Sequence, residues 1–345
     1  MTKQFGWGII GTGGIAHDFA SDLRFADGAR LVAVLSRDQK LADEFCTKAG
    51  SGKAYSDMDR FMADPSLDIV YVASPNSMHL PQALRAIRAG KAVLVEKPLA
   101  PSEPEADVIA REAVRNHVFV MEAMWIRFLP GIIAVKKLID DGAIGDVTGI
   151  TGTLSYKNTY DAAGRLFNKA MGGGASLDLG VYLLSLTMML MGEPSRISGN
   201  WKAASSGVDM SANYRLHYSN MTAELTCGLD DTLHNSFDII GTKGHIRISD
   251  PFIRARRVEV ATGTISRKLM LTFKSGLAAK LLTKLPIPHR QLLQFEDRGH
   301  GLSHQAVAVM DALRDGKTVI ETMPLTDSTA VLRAIGILLS HAAEA

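Results

Sequence analysis

One short string constrains this chain more than any other. Gly11-Thr12-Gly13-Gly14-Ile15-Ala16 has the form G-x-G-x-x-A, directly behind the apolar run Gly6 to Ile10 and at the head of a helically spaced segment, Ile15 to Phe25. A strand that turns at once into a helix through such glycines opens a βαβ unit. The glycines allow a tight turn and a close backbone approach to a pyrophosphate, while the helix start offers N–H groups and a partial positive charge. A lone G-x-G-x-x-A is weak; at the first βα turn near the N-terminus it points to a dinucleotide.

The segments that follow keep the same rhythm. Leu31 to Leu35, Asp68 to Ala73, Ala92 to Glu96 and Val118 to Glu122 have the composition of strands apolar on both faces. Asp38 to Ala49, Asp57 to Ala63, Leu80 to Ala89 and Glu103 to Asn116 have helical apolar spacing. Strand and helix in alternation predict a doubly wound parallel sheet of the Rossmann kind. Near Trp125 the pattern changes. Helices are expected over Leu129 to Asp140 and Ala175 to Met191. Strands are expected at Val147 to Lys157, Arg196 to Ala203, Asn213 to Tyr218, Thr222 to Leu229, Ser236 to Ile240, His245 to Ile248, Arg257 to Ala261 and Lys268 to Phe273, before two C-terminal helices. Gly241-Thr242-Lys243-Gly244 is a hairpin signal. The expected class is therefore α/β: residues 1–124 form a dinucleotide-binding Rossmann domain, and residues 125–345 an α+β domain with a large open antiparallel sheet. The last helix is free in this scheme to pack back on the first domain.

Composition narrows the partners. Lys plus Arg at 38 against Asp plus Glu at 36 leaves a net charge of +2, without the basic stripe that nucleic acid or an anionic membrane surface requires. A small-molecule partner is expected. Two cysteines, Cys46 and Cys227, suffice neither for a disulfide framework nor for a cysteine-built zinc site, and the histidines show no ligand spacing, so no metal is expected. With no export signal visible and no apolar run near ~20 residues, the expected location is cytoplasmic.

Cofactor choice rests on the end of the second strand. An NAD enzyme carries an acidic residue there for the ribose 2′-hydroxyl; here the place belongs to Ser36, followed by Arg37. A hydroxyl and a guanidinium suit a 2′-phosphate through charge-assisted hydrogen bonds, which favours NADP(H) over NAD(H). In the competing reading Ser36 caps the next helix, Arg37 is a solvated charge and Asp38 is the ribose ligand.

Two further groups carry chemistry. Glu96-Lys97-Pro98 ends a parallel strand, at the carboxyl edge where open α/β sheets bind ligands; alone it could equally be a strand-end ion pair. Gly172-Gly173-Gly174 introduces the most apolar helix of the chain, which nevertheless bears Asp178 and Tyr182 four residues apart, on one helical face. The bland account is a first-turn acid favoured by the helix dipole and a core tyrosine.

With these residues in view the chain resembles the glucose–fructose oxidoreductase/inositol dehydrogenase/MocA family. The likeness spans essentially the whole chain: the phosphate turn, Pro75-Asn76 with His79, Glu96-Lys97-Pro98 and the Asp178 to Tyr182 pair match in order and spacing. Met121 to Phe128 and Arg165-Leu166-Phe167-Asn168 are similar to the subgroup that contains dimeric trans-dihydrodiol dehydrogenase and NADP-dependent D-xylose 1-dehydrogenase. Lys169-Ala170-Met171 and Ser176 depart from that subgroup, where a proline-containing stretch and an aliphatic residue are usual.

The resemblance implies an oxidoreductase that moves a hydride between a nicotinamide and the carbinol or carbonyl carbon of a carbohydrate, polyol or diol. Tyr182 is implied as acid/base and Lys97 as its cationic helper. A phenol near pKa 10 is a poor base at neutral pH, but a cation ~4 Å away at an effective dielectric of ~20 contributes ~4 kcal/mol, about three pKa units. Asp178 is expected to hold the substrate hydroxyl or Lys97. The cofactor is implied to lie against Gly11 to Ala16, Ser36, Arg37, Ser74, Pro75, Asn76, His79, Glu96 and Lys97. His79 could equally cap its helix. Trp125 and Tyr156 are implied near the substrate. Family members usually pair through the C-terminal sheet, so a homodimer or homotetramer is expected. Two competing readings remain: a reductase of a sugar-derived ketone such as 1,5-anhydrofructose, and a non-catalytic NADP sensor, since fold alone does not make an enzyme. The full Lys97, Asp178 and Tyr182 set favours catalysis.

Overall fold

A computed structural model describes residues 3–272 and 287–344. The chain divides into two compact units. The first comprises Met1–Phe128, Asn168–Gly173 and Asp297–Gly336; the second comprises Leu129–Phe167, Gly174–Glu296 and Ile337–Ala345.

In the first unit β1 (Phe5–Ile10), β2 (Ala29–Leu35), β3 (Lys53–Tyr55), β4 (Ile69–Val72), β5 (Ala92–Glu96) and β6 (Val120–Ala123) alternate with α1 (Gly14–Asp22), α2 (Gln39–Ala49), α3 (Met58–Met62), α4 (His79–Arg88) and α5 (Glu103–Asn116). All six strands are parallel, in the order β3-β2-β1-β4-β5-β6. Every residue of β1, β4, β5 and β6 is buried, because helices cover both faces of a sheet built this way. The order reverses between β1 and β4, which opens a crevice at the carboxyl ends of the strands. Gly11, Ser36, Asn76 and Lys97 all follow strand ends on that edge. The three-residue edge strand β3 is too short to leave a pattern in the sequence. Near the C-terminus, α9 (Ser303–Arg314) and the greater part of α10 (Leu325–Leu339) belong to this unit. The buried Asp22 carboxylate at the end of α1 accepts the backbone N–H groups of His300, at 2.9 Å, and of Leu302, at 2.9 Å.

The second unit is built on an eight-stranded sheet. Its strands are β7 (Val147–Ser155), β8 (Arg196–Ala203), β9 (Asp209–His217), β10 (Thr222–Gly228), β11 (Phe237–Gly241), β12 (His245–Ile248), β13 (Arg257–Ala261) and β14 (Arg290–Gln294), in the order β14-β13-β12-β11-β7-β10-β9-β8. Pairing is antiparallel except between β7 and β10, which run parallel. β11 and β12 form the hairpin signalled by Gly241 to Gly244. Helix α6 (Pro130–Asp140) precedes the sheet. A wide, π-wound turn, Ser176–Gly180, leads into α7 (Val181–Met191), and both pack on strands of this sheet. The helical run Lys169–Met191 is apolar and long enough to cross a bilayer by composition, yet 83% of its apolar window is buried within the protein.

One expected strand is overturned. Lys268 to Thr272 lies inside a helix, α8 (Thr264–Thr272), and Phe273 lies outside the described residues. The buried residues of this helix are Ser266 and Met270, a helical spacing, and Arg, Lys, Leu and Met are all good helix formers. A short apolar run cannot by itself separate the two states. The strand β14 was not foreseen, because its residues are half-buried or exposed and show no alternation.

Candidate active site

The first unit presents a phosphate cradle. Gly11 donates its N–H to the Leu35 carbonyl at 2.9 Å. Its φ of 111° is one that L side chains rarely adopt, and a Cβ there would lie 2.7 Å from the Ala73 carbonyl oxygen. Only glycine lets β1 turn this sharply beside β4. Helix α1 starts at Gly14, with extended Gly13 as its N-cap and no side chain capping it. Thr12 and Ile15 are half-buried, and Ala16 is buried beneath the turn. A Cβ on Gly13 or Gly14 would meet nothing within 4 Å, so the uncapped first turn looks onto open space.

At the end of β2, Ser36 is half-buried and Arg37 exposed. Asp38 caps α2, accepting the Lys40 N–H at 2.9 Å, while the Ser36 hydroxyl accepts the Asp38 N–H at 3.3 Å. Asp38 is thus engaged at the start of α2.

Beyond β4 the Ser74 hydroxyl donates to Gln82 at 2.6 Å, and Pro75 leads into a single 3-10 turn, Asn76–Met78. The Asn76 amide donates to the Gly172 carbonyl at 2.8 Å, holding the glycine-rich segment Asn168–Gly173 to this unit. His79 is wholly buried. Its Nδ1 lies 2.8 Å from the Pro98 carbonyl and its Nε2 3.0 Å from that of Ser74. Sequence left it as cofactor ligand or helix cap; in the structure the ring lies between carbonyls at the exits of β4 and β5, and a neutral imidazole donates to one of them. Burial pushes its pKa down, and Lys97 adds to that.

β5 delivers Glu96 and Lys97, and the Lys97–Pro98 peptide is cis. Glu96 is buried; the Tyr71 hydroxyl donates to its Oε1 and the Lys97 N–H to its Oε2 at 3.2 Å. Burial pushes the Glu96 carboxyl up to about 7, against the pull of Tyr71 and Lys97. Buried Glu122, on β6, accepts the Leu99 N–H at 3.0 Å and is also raised by burial, with Lys97 again opposing. Lys97 therefore stands in the field of two buried carboxyl groups. Trp125 is buried in the 3-10 turn Trp125–Phe128.

In the second unit Asp178 lies in the π-wound turn and Tyr182 in the first turn of α7, 8% exposed. The Asp178 carboxylate accepts from the Arg165 guanidinium at 3.0 Å, with Arg165 half exposed. Sequence reasoning quoted Arg165 for the resemblance and gave it no role. Half-buried Tyr156, just past β7, donates its N–H to the Gly228 carbonyl at 3.1 Å. Among the described residues no three His, Cys, Asp or Glu side chains gather as metal ligands.

Residues 5–124 match the oxidoreductase family with an NAD-binding Rossmann fold, and residues 132–247 match the GFO/IDH/MocA C-terminal domain. A trans-1,2-dihydrobenzene-1,2-diol dehydrogenase from Macaca fuscata fuscata is 30% identical over 343 residues, 96% of this chain and 97% of that protein. The chain belongs to the Gfo/Idh/MocA oxidoreductase family. Two solved structures share its fold. Levoglucosan dehydrogenase, in complex with NADH and levoglucosan, has a TM-score of 0.81 at 21% identity, covering 98% of this chain and 97% of its own. KijD10, a 3-ketoreductase from Actinomadura kijaniata in complex with TDP-benzene and NADP, has a TM-score of 0.76 at 21% identity, covering 96% and 95%.

The cradle of this Gfo/Idh/MocA chain fits the NAD(P) its family uses: an uncapped helix start, a glycine turn without side chains in the way, and strand ends at the switch point. Glu96 also gives the oxidoreductase a pH signature. The unfolded chain releases this proton near 4.5, the ordinary glutamate value, and the folded one near 7, so the folded state binds more protons in that window and stability falls as pH rises through it. Glu96→Gln, which keeps an acceptor for Tyr71, should remove roughly 3 kcal/mol of that fall, read as the difference between urea unfolding free energies at about pH 5 and pH 8. An unchanged difference would place the proton elsewhere.

Proposed function

We propose that this chain is an NADP(H)-dependent oxidoreductase that interconverts a carbinol and a carbonyl on a sugar, cyclic polyol or trans-dihydrodiol. The observation that carries the reading is the carboxyl edge of the parallel sheet, where the open glycine turn, Ser36-Arg37 and Glu96-Lys97 stand at the ends of β1, β2 and β5. A full-length relative named as a dihydrodiol dehydrogenase supports the substrate class.

The backbone N–H groups of Gly13 to Ala16 would hold the pyrophosphate, Ser36 and Arg37 the 2′-phosphate, and Ser74, Pro75 and Asn76 the nicotinamide half. When bound, the nicotinamide supplies or receives the hydride. Tyr182 gives or takes the proton of the substrate oxygen, and the Lys97 ammonium stabilises negative charge developing there. Asp178, steadied by Arg165, orients a substrate hydroxyl. Trp125 and Tyr156 offer aromatic surface to a sugar or arene face.

The cofactor preference has its own test. Asp38 is occupied as a helix cap, leaving the 2′-position to a hydroxyl and a guanidinium. Arg37→Ala should weaken NADPH binding about 10- to 100-fold, the worth of a charge-assisted bond, and NADH binding less than about threefold, both followed by cofactor fluorescence titration. Equal losses for the two cofactors overturn the assignment. The activity is tested by following NADPH absorbance with pentoses, hexoses, inositols and arene dihydrodiols in both directions. Tight NADPH binding with no turnover anywhere in that panel would favour the sensor reading.

A further inference from the structure

The turn that carries Asp178 is gripped by buried polar side chains that the proposed chemistry does not use. Ser176, the departure noted above, is completely buried, and its neighbours Asp209 and Tyr214 are 3% and 2% exposed. The Ser176 N–H donates to the Asp209 carboxylate at 2.6 Å, and its hydroxyl accepts from the Tyr214 hydroxyl at 2.5 Å. Burial pushes the Asp209 carboxyl up to about 6, against the pull of Ser176. Two residues before Ser176, Gly174 has φ 126°, and a Cβ on it would stand 2.1 Å from the Asp209 carboxylate. Asp209 thus fills the space a side chain would take. At the far end of the turn, a Cβ on Gly180 would stand 3.1 Å from the Cys227 sulfur.

These contacts come from β9 and β10 and meet the segment where helical winding is wide, Ser176–Gly180. A π-wound turn is rare and frequently marks a functional site. Such a conformation persists where its surroundings over-determine it. A carboxylate buried with so few partners is costly, and an aliphatic residue at 176 would take from the buried Tyr214 hydroxyl the acceptor it has in Ser176. Serine at 176 and the Asp209–Tyr214 pair therefore belong together.

We propose that Ser176, Asp209 and Tyr214 are positioning residues that hold the turn preceding α7 in its wide winding and so set the placement of Asp178 and Tyr182. The proposal rests on the reading of those two residues as the proton-handling and substrate-orienting groups. It also ties the subgroup departure at Ser176 to chemistry: the hydroxyl replaces packing with a directed grip on the turn.

The test compares Asp209→Ala, Ser176→Ala and Tyr214→Phe with Asp209→Asn, which keeps an oxygen to accept the Ser176 N–H. Hydrogen exchange over peptides covering residues 174–182 should speed up about tenfold or more in Asp209→Ala and Ser176→Ala, and stay near wild type in Asp209→Asn. With the best substrate of the panel, kcat should fall up to about a hundredfold in Asp209→Ala, in line with misplacement of a catalytic group. KM and the NADPH Kd should move less than about threefold, and Asp209→Asn should restore most of kcat. Tyr214→Phe and Ser176→Ala each lose only one oxygen, so they still report should Asp209→Ala fail to fold. Unchanged exchange in these two, or faster exchange with kcat intact, overturns the proposal. If the wild-type protein turns over nothing in the panel, the functional reading fails, while the exchange measurement still decides the grip on the turn.

Discussion

Replacing Lys97 with Met, or Tyr182 with Phe, should lower kcat by about 10²–10⁴, the usual worth of a positioned acid/base group, and change NADPH affinity less than about threefold. Methionine keeps the length of the lysine stem without its charge, and phenylalanine removes one oxygen. Neither change touches the glycine turn, the uncapped start of α1 or Ser36-Arg37 at the end of β2, so cofactor binding should survive. The pH profile separates the two roles. A phenol deprived of cationic help ionises near 10, so the residual activity of Lys97→Met should climb with alkaline pH, while that of Tyr182→Phe should lack such a limb. The double variant should cost little more than the worse single one, because groups that serve one proton transfer are strongly non-additive. Stopped-flow single turnovers beside NADPH fluorescence titrations give both quantities. Near-normal turnover in either single variant, with binding intact, would end the proton-handling assignment.

How far the sequence shows all this depends on the kind of interaction. The parallel strands β1, β4, β5 and β6 are buried on both faces, so they stand out as continuous apolar runs, and the glycine turn announces where they lead. In β3 and β14 there is no such signal: one is too short, and the other lies half-exposed at a sheet edge. α8 was mistaken for a strand because a brief apolar run fits either period. Lys97 was legible because strand ends are legible. Arg165 on Asp178, or Asp209 under Ser176, was not. Those partners lie 13 and 33 residues apart, and no periodicity reveals which side chains a loop or a returning strand brings together. The departure at Ser176 was the one visible trace, and only the Tyr214 and Asp209 contacts give it meaning. His79 shows the same limit, since its spacing fits a cofactor ligand and its buried ring lies between two backbone carbonyls.

The largest stability effect should come from a pair at the junction of the Trp125–Phe128 turn with α10. Arg127 is completely buried, and its Nη1 donates to Asp327 at 2.7 Å and to the Thr322 carbonyl at 3.0 Å. Asp327, by contrast, keeps 30% of its side chain exposed. The two partners therefore face unequal losses. Asp327→Ala removes the Asp327 carboxylate from a guanidinium in the interior, and breaking a buried pair from that side should cost about 3 kcal/mol or more. Arg127→Met leaves a carboxylate that water already reaches and fills much of the vacated space with apolar atoms, so roughly 1–2 kcal/mol is expected. Asp327→Asn retains an oxygen for the guanidinium and should fall between the two. Burial already pushes the Arg127 pKa down, with Asp327 the foremost opposing influence, which is the same asymmetry seen from the proton. Urea unfolding of the three variants ranks them. Should Arg127→Met prove costlier than Asp327→Ala, the packing of the arginine stem, and not the burial of its charge, governs this junction.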